Sequence, residues 1–315
     1  MSHCIAVDFG GTNIRSAYFP EPEPPPGKQV KIPTQADSGP EKVIARLVDA
    51  IIEVMPDSRE GIQIGIGTPG PLDPVSGTVF KAPNLPGWTD IPLKSQLEEK
   101  LGCPVHLGND ANVAALGEWK FGAGRGSSHM IYLTISTGIG GGVIVDNQLL
   151  LGADGLAGEL GHITVKPGGA PCGCGGRGHI EAEASGTAIA RKAKQGILAG
   201  EETALKEIFD RKGKITSIDV GEAAKHGDDF ALDLIAEAGN LLGHLLADLA
   251  HIFNPQTFVL GGGVSQLGDL LFNPVKSSFR ENVMDPAYCE QVRIVPPMLG
   301  DDAGLVGAMV LVNQG

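Results

Sequence analysis

A chain of 315 residues, 42% hydrophobic and 19% charged, can bury a large core without disulfide or metal staples. Its formal net charge of −13 excludes the basic face that nucleic-acid binding needs, and no apolar run reaches the ~18 residues of a membrane span. Five cysteines, an odd number in a chain this long, exclude a disulfide framework; Cys4, Cys103 and Cys289 read as reduced thiols, and with no leader before the first strand a cytoplasmic protein is expected.

Ile5 to Phe9 reads as a buried strand, Gly10-Gly11-Thr12-Asn13 as a turn, and Ile14 to Phe19 as a second strand. The segment PEPEPPPG from Pro20 to Gly27 cannot pair in a sheet and reads as a solvated loop. Val43, Ile44, Leu47, Val48, Ile51, Ile52 and Met55 share one helical face, and Pro56 ends that helix. A strand over Ile62 to Gly67 leads into Thr68-Pro69-Gly70-Pro71. A short strand over Val105 to Gly108 leads into a helix that begins near Asn109-Asp110 and reaches about Trp119.

The opening plan then repeats. Ile131 to Ser136 reads as a strand, Thr137 to Gly142 as a glycine turn, and Val143 to Asp146 as a strand. Two matched glycine hairpins imply two related lobes, with a boundary near Trp119 to Gly126. A long amphipathic helix over Phe230 to Phe253 ends at Asn254-Pro255. Strand Thr257 to Leu260, Gly261-Gly262-Gly263, and a closing helix over Ala303 to Val312 complete the chain.

Neither glycine loop is a G-x-x-x-x-G-K-[ST] loop, and each leads into a strand rather than a helix. Both offer bare backbone N–H groups and a hydroxyl, Thr12 or Thr137, and such turns make concavities for phosphate oxygens. Asp8 stands just before the first, placed to hold magnesium through water. One such loop alone would be an ordinary hairpin turn. Two, with Gly261-Gly262-Gly263 as a third, point to a nucleotide. Asp110 lies at the carboxyl end of a strand, where ligands sit in open α/β sheets, and reads either as a helix cap or as a catalytic carboxylate.

Eight segments carry a family resemblance: DFGGTN at Asp8–Asn13, GTPGPLD at Gly67–Asp73, GNDAN at Gly108–Asn112, STGIGGG at Ser136–Gly142, GELGH at Gly158–His162, CGCGGRGHIEAEASG at Cys172–Gly186, LGGGVS at Leu260–Ser265 and LGDDAGLVGA at Leu299–Ala308. In this order they resemble the ROK group of sugar kinases across nearly the whole chain. The resemblance implies an α/β, two-lobed actin/hexokinase-like (ribonuclease H-like) fold with a duplicated βββαβα-type core and a central cleft. The expected lobes are 1–118 plus 298–315 and 119–297.

The implied activity is ATP-dependent phosphorylation of a hexose at its 6-hydroxyl, with Asp110 as general base. Glucose is the expected sugar, because GELGH and NLPGW look like the glucokinase branch. Mannose, fructose and N-acetylhexosamines are the alternatives. By resemblance the sugar set is Gly70, Asn84, Asn109, Asp110, Glu159, His162 and Glu181. ATP with Mg²⁺ takes Asp8, Gly10, Gly11, Thr12, Asn13, Thr137, Gly138, Gly261, Gly262 and Gly263. The family carries a histidine followed by C-x-C-G-x-x-G-C on zinc. Here His179 stands where the third cysteine would, so His162, Cys172, Cys174 and His179 form the expected structural zinc set. A homodimer or homotetramer is implied. Some members are repressors with a helix-turn-helix domain ahead of the kinase-like part; this chain opens on the first strand, which argues for the enzyme. A filament-forming ATPase would give Asp110 and the cysteine loop no purpose.

Overall fold

The computed structural model describes residues 3–82 and 84–313. In chain order the elements are β1 (Cys4–Phe9), β2 (Asn13–Phe19), β3 (Gln29–Pro33), α1 (Pro40–Val54), β4 (Gln63–Thr68), β5 (Leu72–Asp73), β6 (Thr78–Lys81), β7 (Thr89–Pro92), α2 (Leu93–Leu101), β8 (Val105–Asn109) and α3 (Asp110–Phe121). They continue with β9 (Met130–Ile135), β10 (Ile139–Val145), β11 (Gln148–Leu149), α4 (Ile180–Ala184), α5 (Gly186–Ala199), α6 (Leu205–Lys212), α7 (Ser217–Lys225), α8 (Asp229–Phe253), β12 (Thr257–Gly261), α9 (Asp269–Asn282), α10 (Ala287–Gln291), β13 (Arg293–Val295) and α11 (Ala303–Val312).

Two five-stranded sheets repeat one plan. The first has the order β3-β2-β1-β4-β8 and the second β11-β10-β9-β12-β13. In each, two parallel pairings follow the opening hairpin: β1 with β4 and β4 with β8, then β9 with β12 and β12 with β13. This is the duplication expected from the two glycine hairpins. A small antiparallel sheet, β5-β6-β7, is inserted after the fourth strand.

Packing divides the chain into two compact units. One comprises Met1–Ser128, Gly142–Gly158 and Pro297–Gly315; the other comprises His129–Gly141 and Glu159–Pro296. In the first unit, the apolar run of β1 reads as continuous because both its faces are covered: Ile5, Val7 and Phe9 are fully buried. The apolar stripe of α1 supplies Val43, Ile44, Leu47 and Ile51 to the same core, and Phe9 meets Trp88 with ring centroids 5.3 Å apart. In the second unit α8 is long and apolar enough to cross a membrane by length and composition, but much of that surface is buried in the unit. Gly239 and Gly243 let α9 approach it, since a Cβ at either would strike Pro274 or the carbonyl of Val275.

The second glycine hairpin departs from expectation. The turn is short, closed by Ser136 N–H donating to Gly138 O at 2.9 Å, and β10 already begins at Ile139. Gly141 and Gly142 therefore lie in a strand, not a turn. Their missing side chains leave room for Leu160 in one case and Ala115 in the other.

Close approach also sets the position of α3. A Cβ on Gly307 of α11 would overlap the Val113 carbonyl of α3, and one on Gly117 would strike the Ala303 carbonyl at 2.5 Å. These backbones touch without side chains between them. Gly307→Ala is expected to destabilise the fold by about 1–3 kcal/mol through overpacking, read as a lower denaturant midpoint with unchanged m value. Glu118, fully buried at the far end of α3, holds the segments that flank this crossing. Its carboxylate accepts from Ala123 N at 2.8 Å, Leu299 N at 2.8 Å and Met298 N at 3.0 Å. A buried carboxyl group is tolerated when its oxygens are hydrogen-bonded in this way.

Candidate active site and metal centre

In the first unit the loop after β1 is held from beneath. Gly10 N–H donates to Asn13 O at 2.9 Å, Thr34 Oγ1 donates to Gly10 O at 2.6 Å, and Thr34 N–H donates to Thr12 O at 2.8 Å. Thr34 is fully buried, while Thr12 is exposed at the tip. Gly11 leaves its space to Asn84, whose Cβ lies 3.1 Å from where a Gly11 Cβ would stand. Asn84 is thus placed beside the glycine loop. Asp8 lies under the turn against Gly304. Burial raises its carboxyl above the ordinary aspartate value, and the Arg15 guanidinium opposes that shift. Arg15 is itself turned toward Asp301 O and the Asp302 carboxylate.

Asp110 follows the residue that caps its helix. The cap of α3 is Asn109, whose Oδ1 accepts from Ala111 N at 3.0 Å and Asn112 N at 3.4 Å; Asp110 is the first helical residue. Asp110 Oδ1 also takes the Ala111 N–H at 2.8 Å, and its side chain is exposed. Asn109 Nδ2 donates to Gly70 O at 3.3 Å, and Gly70 must be glycine because its φ is +88° and a Cβ there would strike the Lys81 carbonyl. Gly70, Asn109 and Asp110 therefore stand together at the carboxyl ends of β4 and β8.

In the second unit Glu159 and His162 are brought onto one side by a 3₁₀ turn over Leu160–His162, with His162 Nε2 4.0 Å from Glu159 Oε2. Glu181, on α4, accepts from Ile139 N at 3.0 Å through Oε2 and lies 3.6 Å from Cys172 Sγ through Oε1. It ties the second glycine hairpin to the cysteine loop. It also fills the space over Gly138, which leaves that residue no room for a side chain.

One donor atom from each of His162, Cys172, Cys174 and His179 lies within 4.8 Å of the other three. His162 Nδ1 is 3.7 Å from Cys172 Sγ, and His179 Nδ1 is 3.3 Å from Cys174 Sγ. Ligand atoms around tetrahedral zinc are roughly 3.4–3.8 Å apart for the usual bond lengths, so the set fits with a small contraction. Burial pushes the Cys172 thiol up to about 11, so metal capture must displace its proton.

A cavity of about 580 Å³ opens in the second unit beside Thr137 and Gly263. Gly261 ends β12, and Gly262 holds φ of +83° with no room for a Cβ against the Ile135 backbone. Of the three glycines, only Gly263 faces the space. Motif reading missed the rest of the wall: Gly186 and Thr187 from α5, and Thr216, Glu222 and Lys225 from α7. A signal was available. Thr216 and Asp219 form a capping box, the S/T-x-x-D/E start of a helix, and α7 begins at this cavity.

The repeated sheet order defines an actin/hexokinase-like protein. The ROK family model matches residues 4–315, so this chain belongs to the ROK family. It is 40% identical to the glucokinase of Halalkalibacterium halodurans over 98% of this chain and 94% of that one. It is 38% identical to the glucokinase of Thermotoga maritima over 98% and 97%. The crystal structure of a ROK family glucokinase from Streptomyces griseus, in complex with glucose and AMPPNP, superposes with a TM-score of 0.84 at 39% identity, covering 99% of this chain and 100% of that one.

Proposed function

We propose that this chain is a cytoplasmic glucokinase that transfers the γ-phosphoryl group of ATP to the 6-hydroxyl of glucose. The observation that carries the reading is Asp110: an exposed carboxylate at the first position of α3, after the cap residue Asn109, in a chain that aligns end to end with glucokinases. Phosphoryl transfer asks the protein for alignment, charge neutralisation and a proton acceptor. Asp110 takes the proton from the 6-hydroxyl. The oxygen forms its bond to the γ-phosphorus as the bond to the β–γ bridging oxygen breaks, and ADP leaves with that electron pair.

Gly70, Asn84, Asn109, Glu159, His162 and Glu181 bind the sugar, because a hexose is selected by pairing its hydroxyls with donors and acceptors. The glycine loops at Gly10–Asn13 and Thr137–Gly138 bind phosphates through backbone N–H groups. The adenosine end takes the cavity beside Gly263. Mg²⁺ neutralises phosphate charge, and Asp8 would hold it through water. His162, Cys172, Cys174 and His179 would hold a structural zinc, which fixes the loop that carries Glu181.

Asp8 carries its own prediction. With its pKa raised, the folded chain binds that proton more tightly than the unfolded chain does. The stability gained is full below the ordinary carboxylate value and is lost as pH rises through the raised one. Burial of this carboxyl therefore costs the fold stability as pH rises. Asp8→Asn is expected to raise the Tm of ligand-free protein, more near neutrality than in acid, while lowering kcat/KM for MgATP. Melts at two pH values and initial rates check both halves.

The function is tested by offering glucose, mannose, fructose, N-acetylglucosamine and N-acetylmannosamine with ATP and Mg²⁺ in one coupled assay. Glucose is expected to have the highest kcat/KM. A higher value for any other sugar reassigns the substrate, and ATP hydrolysis indifferent to sugar removes the kinase reading.

A further inference from the structure

We infer that Glu183 is a positioning residue for the metal loop: its carboxyl fixes the peptide of Ala170 and so sets the spacing of the zinc donors. The inference rests on the zinc reading above and goes beyond it, because Glu183 is neither a proposed metal donor nor a proposed sugar ligand. Glu183 lies on α4, a single turn of helix that also carries Glu181 and directly follows His179. Its side chain is 2% exposed.

The carboxyl meets the loop at one point. Glu183 Oε1 accepts from Ala170 N–H at 2.6 Å, and Gly178 N–H donates to Ala170 O at 2.8 Å, so both backbone polar groups of Ala170 are held. Cys172 follows two residues later, and its N–H donates to Gly176 O at 2.9 Å. At the far end of the loop Glu183 N–H donates to His179 O at 3.2 Å. One residue thus grips the chain on both sides of the two cysteines. Gly169 lets the loop come this close, since a Cβ there would stand 2.3 Å from Glu183 Oε1.

Stability alone does not account for a carboxyl at this place. Glu183 Oε2 stands 3.6 Å from Lys192 Nζ on α5, and that buried nitrogen is 2.9 Å from Glu237 Oε1 on α8. Taking such groups out of water is costly, and apolar side chains of the same volume often serve a fold as well or better. What they cannot supply is an acceptor for the Ala170 N–H. Lys192, steadied by Glu237, draws one oxygen toward α5 and leaves the other for the loop. Loosening Ala170 would let Cys172 drift from His179. It would also loosen His162 and Glu181, both proposed sugar contacts, which belong to or touch the same donor cluster.

The test compares two double variants of the full chain, both of which remove the buried ion pair. Glu183→Gln with Lys192→Met keeps an oxygen for the Ala170 N–H. Glu183→Leu with Lys192→Met keeps the volume and offers none. Zinc release to a chromophoric chelator is the first readout, and KM for glucose is the second. The first variant is expected to release zinc within about threefold of the wild-type rate. The second should release it about tenfold or more faster, since partners behind metal ligands tune a site by about 10–100-fold. KM for glucose should rise by about the same factor in the second variant alone, with kcat and KM for ATP nearly unchanged. A merely structural role would follow Tm and would not separate the two variants by the one oxygen. Equal release from both, fast or slow, beside a wild type that holds one zinc would overturn the positioning role and leave the metal site standing. A wild type without zinc would overturn both.

Discussion

Asp110→Asn is expected to lower kcat by about 10²–10⁴ while glucose binding stays within a few-fold of wild type. The substitution keeps shape and a hydrogen-bonding oxygen, so the Ala111 N–H contact survives. The helix start also survives, because Asn109 and not residue 110 is the cap. What disappears is the only property that base catalysis needs, a carboxylate able to accept the hydroxyl proton. In free-energy terms the loss is roughly 3–5 kcal/mol of transition-state stabilisation. It should fall on kcat rather than on KM, the pattern of an interaction made during reaction and not during binding. Rapid-mix single turnovers with a separate glucose-binding titration check it. Near-normal turnover would remove Asp110 from the chemistry.

Loss of the metal set should be nearly as damaging by a different route. Cys172→Ala is expected to abolish stoichiometric zinc and to raise KM for glucose by about tenfold or more, with KM for ATP changed little. The reasoning runs through Glu181, which touches Cys172 Sγ on one side and the Ile139 N–H on the other. His162, a proposed sugar ligand, belongs to the same donor cluster. Releasing the loop therefore disorders two proposed sugar contacts, while the cavity beside Gly263 is walled by other elements. His179→Cys is the informative partner variant. It should keep one zinc per chain and near-normal KM, since thiolate and imidazole are both good zinc ligands. Metal analysis and paired KM values decide. A Cys172→Ala protein with full zinc content would discard this donor set, and one with unchanged KM for glucose would discard the positioning role.

What could be read before any coordinates was mostly what neighbours in the chain decide. The helix over Ala303–Val312 and the strand before Asp110 follow from periodicity and turn chemistry, and both stand where local pattern puts them. Cys172, Cys174 and His179 are close in sequence, and with His162 they make one cluster. Asp110 was ambiguous because cap and base look alike in one dimension, and the structure shows that the cap is Asn109. Contacts between distant segments left no local signal. Glycines at 141 and 142 look like turn residues until Leu160 and Ala115 are seen to need their space. Glu118 looks like an ordinary helix acid, yet it binds backbone about 180 residues away. The α7 wall of the cavity beside Gly263 announced only its own capping box, not what it faces.

The most direct single measurement is a time course of ATP, Mg²⁺ and glucose followed by ³¹P NMR. It should show the γ-phosphate signal converting into one phosphomonoester, coupled to the protons on carbon 6, with inorganic phosphate negligible when glucose is left out. Steady release of inorganic phosphate at the same rate with and without glucose, or a phosphomonoester on any other carbon, would contradict it.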